Sequence, residues 1–298
     1  MNFEVWGMNG SLTTEHAVHE VVARERLWHW LDAVDTACNR FRSDTEITRL
    51  NTVHEGPVIV SETFALCLDA ALESAAVTEG LCDPTVLDSL LALGYDRDFD
   101  ELVDTVVTVR DHRPSPGVEA ISFDRGERRV TLREHCTLDL GASAKALVAD
   151  LVADELAHLG GVVVEIGGDV ALRGSGPNGP WVVGIADRLQ LFGDEPRVSQ
   201  LGGGIATSSL PARTWEGRGA TINHIIDPRT GYCASGPYAT ATVSASSCVI
   251  ANAFSTAALL WGEEASYHIA QAGWSARLVR HDGRVDFVGG WPEEKLSA

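Results

Sequence analysis

Strand-like and helix-like stretches in this chain are grouped rather than alternated, and that grouping limits the fold more than any other feature. Between about 104 and 139, the β-branched runs Val106-Val107-Thr108-Val109, Ile121-Ser122-Phe123 and Val130-Thr131-Leu132 follow one another with Gly/Asp turns between them, as in a meander. Before them come a short strand at 3–7 and a long amphipathic helix from Thr14 to Phe41, with Val18, Val21, Val22, Leu27, Trp30, Leu31 and Val34 at helical spacing. A second helix then starts with Ser61 as its N-cap and stops near Gly80. After them a helix is expected over about Ala142 to Leu159. Strands are expected at Val162–Ile166, Trp181–Ile185, Ile205–Thr207, into His224–Ile226, and at Ala239–Ser244. The helix from Cys248 to Trp261 is apolar on most sides and is therefore expected to be buried. A doubly wound parallel sheet would alternate strand and helix regularly, so the expected class is α+β. With no internal repeat or low-complexity linker, 1–298 reads as a single bilobed unit of mostly antiparallel strands packed with helices. The Pro/Gly cluster at 174–180 and the loop at 186–198 read as surface connections.

Composition narrows the function. The 298 residues carry 42 Asp plus Glu against 23 Lys plus Arg, and a net charge of −19 repels nucleic acid and anionic membranes. An anionic cofactor would need a few placed cations, a metal or backbone N–H groups. The six cysteines are widely spaced without a Cys-x-x-Cys pair, which reads as reduced, mostly buried thiols. The amino terminus lacks a basic segment followed by an apolar one, and no apolar run reaches roughly 18 residues, so a cytoplasmic protein without membrane insertion is expected. Nothing in the sequence specifies an oligomeric state.

Four segments set polar residues beside glycines or hydroxyls at the ends of apolar elements, where a ligand can approach the backbone. In Asp139-Leu140-Gly141-Ala142-Ser143-Ala144-Lys145 a strand enters a helix; the helix start and Lys145 can hold a phosphate, or Asp139 simply caps the helix. Glu165-Ile166-Gly167-Gly168-Asp169 lacks dinucleotide-fold spacing and reads equally as a turn. In Asn223-His224-Ile225-Ile226-Asp227-Pro228-Arg229-Thr230-Gly231, His224 is either a general base beside a turn or a structural histidine. Asn252, Ser255 and Thr256 share a helix face, as oxygen ligands for Mg²⁺ or as buried hydroxyls bonding the helix backbone.

In this order the segments resemble the ApbE-type flavin transferases over nearly the whole chain. Phe41 to Asn51 is similar to S-E-[IL]-x-x-L-N, Cys82-Asp83-Pro84-Thr85-Val86 to F-D-P-T-V, and Leu138 to Lys145 to D-L-G-G-I-A-K-G. Glu165–Asp169 is similar to N-x-G-G-[DN], Trp181–Ile185 to W-x-V-G-I, and Ala206–Ser209 to A-T-S-G; His224–Gly231 matches H-I-I-D-P-x-T-G in full. The resemblance implies an FAD:protein FMN transferase with an FAD cleft between lobes, moving FMN to a Ser or Thr of an acceptor protein and releasing AMP. It implies FAD contacts from Met8, Asp83, Asp139, Lys145, Gly167, Gly168, Asp169, Thr207 and Ile225. It also implies Mg²⁺ on Asn252, Thr256 and the carbonyl of Ala142, His224 as the base, and Lys145 facing the departing AMP.

Four departures stand out. Asn252 replaces the aspartate that ligates Mg²⁺ in the family, and an amide oxygen brings no charge, which lowers the expected affinity. Ser209 and Ala146 replace glycines, and Cys82 an aromatic residue. Two further readings therefore stay open: an FAD pyrophosphatase that yields FMN and AMP, and an FAD-binding protein with lost or altered catalysis.

Overall fold

A computed structural model of the chain describes residues 1–53, 56–102, 105–186, 195–217 and 219–294. The chain divides into two compact units, the first comprising Met1–Trp30, Lys145–Ala212 and Ser235–Ala298, the second Leu31–Ala144 and Arg213–Ala234. Helices combine with largely antiparallel sheets, so the fold is α+β as expected.

The first unit is built on an eight-stranded sheet. Its order is Asn2–Val5, Met8–Thr14, Val162–Ile166, Asp169–Arg173, Gly203–Ser209, Tyr238–Ala245, Ser275–Arg280 and Val285–Val288, and every neighbouring pair is antiparallel. The Cys248–Trp261 helix lies along the central strands Asp169–Arg173, Gly203–Ser209 and Tyr238–Ala245. It is buried at every residue except Thr256 and Trp261, which is why its sequence is apolar on almost every side.

The start of that helix is held by two side chains, one of them backed by an arginine. Ser247 is the N-cap and accepts the Ile250 N–H at 3.2 Å. The Cys248 and Val249 N–H groups both donate to the carboxylate of Asp150, on the Gly141–Leu156 helix, at 3.0 Å each. Arg173 then donates to Asp150 at 3.0 Å, to Asp154 at 2.5 Å, and to the carbonyls of Leu172 and Gly203 at 2.9 and 3.1 Å. Burial pushes the Asp150 carboxyl above its ordinary value, while the two backbone donors and Arg173 favour its ionised form. The strand and helix approach so closely that a Cβ at Gly204 would overlap the backbone of Cys248.

In the second unit the Glu62–Val77 helix begins as its sequence predicts, with Ser61 accepting the Phe64 N–H at 3.1 Å. It ends three residues before Gly80. Glu79 and Gly80 both turn left-handed, at φ 53° and 84°, and the Gly80 N–H closes back onto the Ala75 carbonyl at 2.8 Å. A three-stranded sheet joins Val58–Ile59, Arg129–Leu132 and Ile121–Asp124.

The expected meander is only partly present. Val106–Val107 leaves it and pairs in parallel with Thr214–Gly217, which also pairs with Ala220–Asn223. Val107 packs against a core of Leu90, Leu93, Leu102, Val109, Trp215 and Ile222, while Val106 stays exposed. The first helix is shorter than its apolar spacing suggests, running Glu20–Cys38 after a turn of 3₁₀ helix, and Thr14 ends a strand instead. Val18 and Val21 are exposed, so the periodicity overran the buried face there. The surface connection expected at 186–198 falls largely on 187–194, outside the described residues; its far end, Arg197–Gln200, is a strand paired with Trp181–Gly184. Among the described residues no helix is long and apolar enough to cross a membrane.

Asp150→Ala removes the acceptor of two buried N–H groups and strands Arg173, and it is expected to lower unfolding free energy by about 3 kcal/mol. Asp154→Ala, at the exposed end of the same cluster, should cost less than about 1 kcal/mol, both read from urea unfolding midpoints.

Candidate functional site

Gly167 and Gly168 form the two-residue turn that joins Val162–Ile166 to Asp169–Arg173, with φ of 61° and 96°. Two successive positive φ angles are what a tight hairpin of this hand requires. The turn is also crowded: a Cβ on Gly167 would lie 2.5 Å from the sulfur of Met8. The Gly167 N–H donates to the Asn9 carbonyl at 3.0 Å and the Thr207 N–H to the Gly168 carbonyl at 3.2 Å. Met8, Gly167, Gly168 and Thr207, far apart in sequence, therefore meet on neighbouring inner strands of the sheet. The Thr207 hydroxyl lies 2.9 Å from that of Thr242.

Asp169 follows the turn and is almost fully buried. The Asn252 side-chain N–H donates to its Oδ1 at 2.9 Å, joining positions 83 residues apart. The remaining oxygens, Asp169 Oδ2 and Asn252 Oδ1, are buried without a hydrogen-bond partner among the described residues. Burial pushes the Asp169 carboxyl upward, and the charge of Lys145 and the Asn252 amide oppose it. One turn along the helix, Ser208 Oγ from the neighbouring strand lies 2.8 Å from Ser255 Oγ and 3.0 Å from Thr256 Oγ1. Ser255 donates back to the Asn252 carbonyl at 3.0 Å. Among the described residues no group of three or more His, Cys, Asp or Glu gathers as a metal site, and the oxygens brought together here are carboxylate, amide and hydroxyl. Such donors suit a hard ion.

In the second unit the early motif segments are tied together. Asn51 exchanges two hydrogen bonds with the backbone of Leu138, at 2.9 and 2.8 Å, and the Asp139 N–H donates to the Pro84 carbonyl at 2.9 Å. Asp139 accepts the Gly141 N–H at 2.7 Å, so it does cap the helix start, and its other oxygen pairs with Arg40 at 2.7 Å. The side chain of Arg40 is largely covered, with its guanidinium 4.1 Å from the Phe41 ring centroid and 4.6 Å from that of Tyr95. Ala142 sits exposed in the first turn of that helix. Asp83 accepts both the N–H and the hydroxyl of Thr85, at 2.8 and 2.7 Å; burial raises its carboxyl and these bonds oppose the rise.

His224 follows the Ala220–Asn223 strand and is half-buried. The loop that carries it is clamped by Asn223, which accepts the Ile225 N–H at 3.1 Å and donates to the Ala234 carbonyl at 2.9 Å. Ile225 is buried, and its carbonyl accepts the Ala234 N–H at 2.7 Å. Asp227 then closes the turn through the N–H groups of Arg229, Thr230 and Gly231. Burial pushes the Asp227 carboxyl up, but the Arg229 hydrogen bonds outweigh it and hold the group below its ordinary value. Much of the H-I-I-D-P-R-T-G segment thus holds the loop that presents His224. The substituted positions are accommodated: Ala146 and Cys82 are buried, and Ser209 accepts a 3.4 Å hydrogen bond from Thr240.

This fold is shared with solved structures of ApbE proteins. The ApbE protein of Thermotoga maritima superposes with a TM-score of 0.82 at 22% identity, covering 97% of this chain and 96% of that one. The flavin transferase ApbE of Vibrio cholerae gives 0.77 at 21% identity, over 100% and 96%. The ApbE family model matches residues 7–278, and the chain belongs to the ApbE family. Among curated relatives, the FAD:protein FMN transferase of Haemophilus influenzae is 28% identical over 276 residues, 88% of this chain and 78% of its own. That of Vibrio cholerae is 29% identical over 249 residues, 81% and 74%.

The sequence reading missed Arg40, Asp150 and the Asp169–Asn252 contact. Arg40 next to Phe41 offered a weak signal; the other two depend on pairing across long stretches of chain. Because Asn223 satisfies two backbone groups of the His224 loop, Asn223→Ala is expected to cost about 2 kcal/mol in a urea titration.

Proposed function

We propose that this protein transfers FMN from FAD to a Ser or Thr hydroxyl of an acceptor protein and releases AMP. The observation that carries the reading is the family match over residues 7–278, a span that contains Asp83, Asp139, Lys145, Asp169, His224 and Asn252. His224, held at the end of a strand by the Asn223 clamp, serves as the base for the acceptor hydroxyl. As that proton leaves, the oxygen attacks the FMN-side phosphorus and the bond to the AMP phosphate breaks. Lys145 neutralises charge on the departing phosphate. Met8, packed against Gly167, and the Gly167-Gly168 turn with Thr207 beside it are the FAD-contacting positions of the first unit. Asp83, Asp139 and Ile225 are the FAD-contacting positions of the second unit.

Asn252 and Thr256 offer oxygens of the kind Mg²⁺ binds, and the unpartnered buried Oδ1 of Asn252 fits such an ion. When bound, the cation supplies positive charge to the phosphate oxygens.

Incubation with FAD, Mg²⁺ and a candidate acceptor is expected to yield an FMN adduct by intact mass and an equal amount of AMP. AMP without an adduct would make the protein a pyrophosphatase; neither product would remove both enzymatic readings. His224→Ala should keep FAD binding, measured by fluorescence quenching, and lose at least about 100-fold in transfer rate.

A further inference from the structure

Among the described residues of the first unit, Asp169 is the buried acid whose bonding needs are least met. Its side of the pair with Asn252 uses one oxygen, and the second oxygen has no donor among the described residues. Asn252 repeats the pattern, with its N–H₂ engaged and its carbonyl oxygen sealed from solvent without a donor. Buried acceptors left this way are costly, and a cation satisfies them where another protein acceptor would not. Burial alone does not produce this state: Asp150, nearby in the same unit, receives two backbone N–H groups and Arg173.

The direction of the hydrogen bond carries further information. An ionised carboxylate only accepts, so the Asn252 N–H₂ turns toward Asp169 and its carbonyl oxygen turns away. Asp169 thereby fixes the orientation of the amide. It also brings to this spot the negative charge that an amide lacks.

We infer that Asp169 is the anionic ligand of a divalent-cation site in which Asn252 Oδ1 is the neutral partner. The carboxylate that flavin transferases place on the helix is, in this chain, supplied from the strand that follows the glycine turn. The cation class is a hard ion of the Mg²⁺ or Mn²⁺ type. The inference rests on the reading of this helix as cation-binding and not on FMN transfer itself.

The test is a Mn²⁺ titration of the FAD-free full-length protein near neutral pH, following free Mn²⁺ by electron paramagnetic resonance. Wild type is expected to bind Mn²⁺, and Asp169→Asn to weaken binding by about tenfold or more while circular dichroism reports an intact fold. The exchanged pair Asp169→Asn/Asn252→Asp restores both the charge and the hydrogen bond, so it should return to within about threefold of wild type. Unchanged binding in Asp169→Asn, or no binding by wild type, overturns the inference. Should Asp169→Asn fail to fold, a folded exchanged pair that binds about tenfold more weakly than wild type overturns it equally. Adduct formation is scored separately: lost transfer with Mn²⁺ binding intact counts against the transferase reading alone.

Discussion

Much of the first unit depends on one carboxylate placed at the start of one helix. Asp150 receives the first two N–H groups of the Cys248–Trp261 helix, where the unsatisfied donors and the positive end of the helix dipole both favour a negative charge. A helix buried at nearly every residue has no water to satisfy its first turn, so the acceptor has to come from the protein. Asp150 also fixes where the helix begins along the sheet, with Gly204 allowing the contact distance. Asn252 lies one turn further on, and its meeting with Asp169 follows from that placement.

Among the described residues, the two buried acids of this unit are treated differently. Asp150 is answered by backbone donors and a guanidinium, and so serves structure. Among the described residues Asp169 accepts one amide hydrogen bond, from Asn252, and is favoured by the charge of Lys145. In a chain that carries 42 acidic residues, an acid kept almost fully buried with half its bonding capacity open is where chemistry is to be sought.

The local parts of this fold were legible in the sequence because their causes are local. The Ser61 cap, the limits of the Cys248–Trp261 helix and the strand at Val162–Ile166 follow from a side-chain acceptor, a buried apolar run and β-branched residues in series. Partners were not legible. Val106–Val107 reads as a strand from its own residues, but its parallel partner, Thr214–Gly217, lies more than a hundred residues away and neither segment names the other. The candidate site shows the same division. The His224 loop could be recognised because its clamp, turn and histidine lie within a dozen residues. The Asp169–Asn252 pair could not, since each residue has an ordinary reading until the sheet brings them together. Asp139 belongs to both groups: its helix-capping bond is local, whereas its Arg40 partner is not.

Arg173 connects this arrangement to a matter of donor geometry. Its guanidinium makes four hydrogen bonds, to two carboxylates on one helix and to two carbonyls on two strands. Those acceptors lie around a planar fork of five N–H groups that never loses its charge. A lysine at this place would keep the charge, but its three donors radiate from one atom and cannot reach all four acceptors. The requirement at position 173 is therefore for a shape as much as for a sign, and a substitution that conserves only the sign leaves a buried carbonyl or carboxylate unanswered.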